Sequence, residues 1–124
     1  MTLSFDALTE ANRARVERWH PGFPFQSDWI GVDWSNAMCG EAGEAANIVK
    51  KIRRYDAGLR AVGDPAKAVL VEALAEELAD VICYLDLLAQ YYEIDLPLAV
   101  VDKFNRVSEK QGFPERLGLA CIRD

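Results

Sequence analysis

Two pairs of acidic residues stand where an amphipathic helix normally carries only apolar ones. From Trp34 to Ile52, the residues Trp34, Met38, Ala45, Ile48, Val49 and Ile52 recur at the spacing of one helical face. At about 100° per residue all of them fall within about 80° of Glu41, while Gly43, Lys50 and Arg54 lie opposite. Glu41 therefore sits in the middle of an apolar stripe. Glu44 is about 60° to its flank, and Lys51 is within about 20° of Glu44. A second run repeats the pattern. Leu70, Leu74, Val81, Leu85 and Leu88 gather to one side of Glu77, Tyr84 is close by on the other, and Asp80 is about 60° to the flank. Glu72, Glu76, Asp86 and Gln90 form the polar face of that helix.

An ionised carboxylate turned into a core must be protonated, salt-bridged or bound to a metal. If the two stripes face each other as antiparallel neighbours, the carboxyl groups of Glu41, Glu44, Glu77 and Asp80 converge. Oxygen-only donors suit Mg²⁺, with Mn²⁺ as a substitute, because such a cation takes a few carboxylates, keeps waters and accepts phosphates for the rest. Two competing readings are a structural network, with Lys51, Lys103 or an arginine neutralising the acids, and solvation of either Glu-x-x-Glu spacing taken alone. The coincidence of both pairs with apolar stripes favours the metal.

Helical periodicity dominates the rest, with no alternating strand pattern. Ser4 can cap a first helix whose apolar face is Phe5, Leu8, Val16 and Trp19, ended by His20, Pro21, Gly22 and Pro24. Asp33 or Ser35 caps a second helix running to about Tyr55 and stopping near Gly58. Asp64 before Pro65 opens a third, to about Glu93, and Asp95 before Leu96-Pro97 opens a fourth, which Gly112 and Pro114 close. The expected architecture is one all-α domain over residues 1–124. Residues 1–33 hold the first helix and an aromatic loop, 34–112 the acid-bearing helices, and 113–124 an irregular tail. The third helix is apolar around most of its circumference. A chain of 124 residues cannot cover it alone, so a four-helix bundle completed by a partner chain, as homodimer or homotetramer, is expected.

Composition narrows the function. Apolar residues make up 51% of the chain, yet no stretch is long and uncharged enough to cross a bilayer, and the first residues lack the order of a secretion signal. Cys39, Cys83 and Cys121 show no metal-ligand spacing, and an odd count argues against a disulfide framework; a reduced, cytoplasmic setting is expected. A net charge of −6 disfavours nucleic acid as a partner and suits a site that gathers cations.

Gly40-Glu41-Ala42-Gly43-Glu44 followed by Glu76-Glu77-Leu78-Ala79-Asp80 resembles the MazG-type all-α nucleoside triphosphate pyrophosphohydrolases, whose signature is Glu-x-x-Glu on one helix and Glu-x-x-Asp on the next. The similarity extends through Asn47 to Lys51, Val81 to Leu85, Lys103 to Arg106 and Gln111 to Pro114. Residues 45–76 separate the two pairs by more than in many members of the family. The Lys103–Asn105 spacing is shorter than in some. The resemblance implies Mg²⁺-dependent hydrolysis of a nucleoside or deoxynucleoside triphosphate to monophosphate and pyrophosphate. It implies Glu41, Glu44, Glu77 and Asp80 as ligands and catalytic residues, Tyr84 and Asn105 near the substrate, and Lys51 and Lys103 toward the phosphates. It also implies dimers or dimers of dimers.

In that chemistry a metal-activated water attacks the α-phosphorus, and Glu44 or Glu41 serves as general base. Trp29 and Trp34, with Trp19, Phe23 and Phe25, offer stacking surface for a base and His20 a polar contact; equally, the aromatic loop reads as packing across the bundle with Trp19 and Trp34 as helix-end core. Glu76 is expected at the surface. The competing functions are a phosphoribosyl-ATP pyrophosphohydrolase-like enzyme and a non-catalytic helical interaction module stabilised by a metal. A di-iron bundle is excluded by the missing Glu-x-x-His elements.

Overall fold

A computed structural model describes residues 2–118; Met1 and residues 119–124, with Cys121 and the end of the expected tail, lie outside the described residues. The chain folds into α1 (Phe5–Trp19), α2 (Gly31–Asp56), α3 (Lys67–Tyr91) and α4 (Leu96–Gln111), with no strand among the described residues. The fold is all-α, as the periodicity predicts. No described helix is long and apolar enough to cross a membrane.

Local capping chemistry sets α1 and α4. Ser4 accepts the Ala7 N–H at the head of α1, and Asp95 accepts the Leu98 N–H at the head of α4 with Pro97 in its first turn. Gly112, at φ 73°, takes the left-handed conformation that closes α4. The two middle helices depart from expectation at their starts. α2 begins at Gly31, so Asp33 lies inside the first turn, where its charge suits the helix dipole. α3 begins at Lys67 because Asp64 is engaged elsewhere: its carboxylate accepts the Ala61 N–H and the Arg54 guanidinium, both at 2.8 Å.

The chain divides into two compact units. The first comprises residues 1–31 and 86–124: α1, the aromatic loop, the end of α3, and α4. Val16, Phe23, Leu87, Ala89 and Val101 are buried there. Asp86, expected on the polar face of α3, is 2% exposed. It accepts hydrogen bonds from Thr9 Oγ1 at 2.6 Å, Asn12 Nδ2 at 3.0 Å and Gln90 Nε2 at 2.9 Å. The wheel of α3 alone cannot show that α1 presents polar groups to this position, and those donors make the burial tolerable. Trp19, expected on the apolar face of α1, is exposed with the Arg15 guanidinium over its ring. Gly31 is needed where it stands, since a Cβ there would overlap the Tyr92 hydroxyl.

The second unit, residues 32–85, is a helical hairpin of α2 and most of α3. Trp34, Ala45 and Leu70 are its buried apolar residues, and Trp34 packs its ring 6.3 Å from that of Tyr84. Gly58, at φ 72°, ends α2, with the Leu59 N–H bonded to the Arg54 carbonyl. The Lys67–Asp56 ion pair, at 2.6 Å, ties the start of α3 to the end of α2. Val71, Leu78 and Ile82 leave an aliphatic stripe of α3 about half exposed in the single chain.

Candidate metal centre

Facing stripes on α2 and α3 give the second unit its seam, and the acids are carried into it by their register. Glu41, Glu77 and Asp80 each offer a carboxylate oxygen within 4.8 Å of the other two. Glu41 and Glu77 are half-buried, while Asp80 and Glu44 are exposed. Glu44 lies close enough to Glu77 to hydrogen-bond with it and to repel its charge.

The electrostatics follow from that crowding. Glu77 is pushed up to about 7, first because it shares a proton with Glu41, then because burial disfavours its charge, and then because Glu44 does the same as Glu41. Its Oε2 is shut off from solvent with no hydrogen-bond partner. An orphaned carboxylate oxygen, ringed by other carboxylates, needs either a proton or a cation. The donor set is all oxygen, so the residues fit a hard divalent ion of the Mg²⁺ or Mn²⁺ kind.

The other expected site residues fall in both units. Tyr84 is half-buried on α3 against Trp34. Trp34 itself is 1% exposed. Lys51 is half-buried on α2, and its charge bears on Asp64. Glu76 is exposed, as expected.

Three residues belong to the first unit. Trp29 sits in the aromatic loop with its ring 4.5 Å from that of His20, whose Nδ1 is 2.7 Å from Asp28. That hydrogen bond holds the Asp28 carboxyl below its ordinary range. Lys103 is exposed on α4. Asn105 is half-buried, and both ends of its amide are used: Nδ2 donates to the Leu117 carbonyl at 2.9 Å, and Oδ1 accepts the Leu117 N–H at 2.8 Å. In this structure it pins the segment after α4. Sequence reasoning gave two structured polar residues other roles, Asp86 as solvated surface and Asp64 as a helix cap. Asp64 carried a signal, the nearby Arg54; Asp86 carried none on its own helix.

The chain is 33% identical over 123 residues to dCTP pyrophosphatase 1 of Rattus norvegicus, covering 94% of this chain and 69% of that protein. It is 33% identical over 123 residues to the Homo sapiens protein of that name, covering 96% and 69%. Against the Mus musculus protein it is 33% identical over 112 residues, covering 86% and 62%. No family model matches the chain. No solved structure matches it significantly.

Proposed function

We propose, from the premise that this chain belongs to the MazG-like all-α nucleoside triphosphate pyrophosphohydrolases and is an enzyme of that class, that it splits a deoxynucleoside triphosphate into monophosphate and pyrophosphate using Mg²⁺. The observation that carries the reading is the Glu41–Glu77–Asp80 cluster with its orphaned Glu77 oxygen. The relatives are named for dCTP, which makes it the first nucleotide to try.

In this reading Glu41, Glu77 and Asp80 hold the divalent ion, with Glu44 alongside. Held by these carboxylates, a divalent ion would supply positive charge to the phosphate oxygens and would acidify a water. Glu44, exposed beside Glu77, would accept the proton of a water as that water's oxygen bonds to the α-phosphorus. The bond from that phosphorus to the bridging oxygen breaks, and the electron pair leaves on pyrophosphate. Lys51, on the same hairpin as the acids, is the cation offered to the leaving phosphates, and Tyr84 the aromatic surface offered to the nucleoside.

The exposed Val71, Leu78 and Ile82 favour a second copy of the chain as the cover for α3, in a homodimer or homotetramer. The free, exposed thiol of Cys39 suits a reducing, cytoplasmic setting. The test is a panel of canonical and modified nucleotides with Mg²⁺, scored for pyrophosphate against orthophosphate. Pyrophosphate with a monophosphate is the expected product pair; orthophosphate alone would mean a different reaction.

A further inference from the structure

Charge is segregated along this chain. Residues 50–67 hold six bases against two acids, which leaves eight bases against eighteen acids over the rest. Both acids of that stretch are engaged within it: Asp64 takes the Arg54 guanidinium and the Ala61 N–H, and Asp56 takes Lys67. These contacts pin the connection between α2 and α3, and Gly58 and Gly63 supply its left-handed turns at φ 72° and 90°. The tip so built presents cations and aliphatic groups together. Lys50, Arg53 and Arg60 are exposed and form no ion pair among the described residues. The Arg60 guanidinium lies 5.4 Å over the Tyr55 ring, which steadies it at the tip. Leu59 is 72% exposed and Val62 wholly so.

The first unit holds a surface of the opposite kind. A cavity of about 340 Å³ opens where α1, the end of α3 and the start of α4 meet. Asp6, Glu93 and Asp95 line it as exposed residues and Asp86 as a buried one, and no base lines it. Ile94 and Pro97 give it an apolar side. Its acids are not gathered closely enough for one metal ion: among the described residues, only Glu41, Glu77 and Asp80 are. Separated negative charges beside an apolar wall suit a protrusion that sets cations among aliphatic groups.

We infer that the tip of one copy docks into this cavity on a second copy, with Arg60 toward its carboxylates and Leu59 and Val62 against its apolar side. Copies of net charge −6 repel one another at long range, and the tip is the part of each that another copy attracts. One loop seated in one small cavity buries less surface than a stable interface needs. The contact is therefore a second one, added to the covered face of α3, and it enlarges the assembly by one step. The inference rests on the homo-oligomer reading above and adds to it a second joining surface of a different physical character. Salt screens attraction across the tip, whereas burial of the aliphatic stripe on α3 does not depend on charge.

The test is sedimentation velocity on the full chain between about 0.05 and about 0.5 M salt. The native chain should step down to a smaller assembly as salt rises. Arg60→Glu and Glu93→Lys, each folded by circular dichroism, should both stay at the smaller assembly in low salt, with that association weakened at least about tenfold. Mixed in equal amounts, the two variants should regain the larger assembly, because both contacts of a mixed pair again oppose unlike charges. Val62→Asp probes the apolar half of the tip, should also remove the step, and serves if a charge reversal fails to fold. Assembly that ignores salt and both reversals, or a mixture no better than either variant alone, overturns the inference and leaves the tip to an acidic partner of another kind. The two readings fail separately. A native chain that falls to monomers in high salt keeps the tip contact and loses the α3 interface; a dimer at every salt concentration, unmoved by the reversals, does the opposite.

Discussion

Glu41 on α2 reaches Glu77 on α3 closely enough for the two carboxyl groups to share a proton, and this pairing holds Glu77 up at about 7. Divalent binding must expel that proton. The apparent affinity for Mg²⁺ should therefore fall as pH drops below about 7, by up to about tenfold per unit, and level off above it. Isothermal titration from pH 6 to 8.5 reads this directly. Glu77→Gln should bind Mg²⁺ poorly at every pH.

The same proton couples to stability in the opposite sense from an ordinary salt-bridged acid. The folded chain holds it to higher pH than the unfolded chain does, so the metal-free protein should lose stability as pH rises from the usual glutamate range through about 7. Thermal melts in EDTA should show a higher Tm at pH 5.5 than at pH 8. Adding Mg²⁺ at pH 8 should restore the difference, and Glu77→Gln should abolish it.

Asp86 anchors α1 to α3 through Thr9 and Asn12. Asp86→Ala strands three donors in a buried place and should cost about 2–4 kcal/mol in urea denaturation. Asp86→Asn, which keeps an acceptor but not the charge, should cost less. Neither residue partners the acidic cluster, so Mg²⁺ affinity of the folded fraction should hold.

Asn105→Ala removes both hydrogen bonds to the Leu117 backbone. The effect should be local: faster amide exchange at Leu117 with a global stability change within about 1 kcal/mol. A loss of activity out of proportion to that change would support the substrate-side role that the resemblance implies for Asn105.

What could be read from the residues, and what could not, divides by the range of the forces involved. Ser4, Asp95 and Gly112 mark helix ends by bonds to groups within a few residues, and α1 and α4 begin and end where those residues say. The inward turn of Glu41 and Glu77 follows from periodicity alone, because a helix carries its phase along its length. Asp64 looks like a helix cap in isolation, yet a guanidinium ten positions earlier captures it, and α3 starts later. Asp86 looks like surface on its own wheel, and only the folded partner α1 supplies the polar groups that bury it. Trp34 and Trp29 are alike in sequence, but one is closed into the α2–α3 seam and the other packs on His20 in a loop.

The most direct test of the whole account is pyrophosphate release from dCTP and the nucleotide panel, compared between the native chain and Glu41→Gln with and without Mg²⁺. The account predicts turnover in the native chain only when the divalent ion is present, and a loss of at least about a hundredfold in Glu41→Gln with its helical circular dichroism unchanged. Full activity in a well-folded Glu41→Gln chain, or equal activity in EDTA, would contradict it.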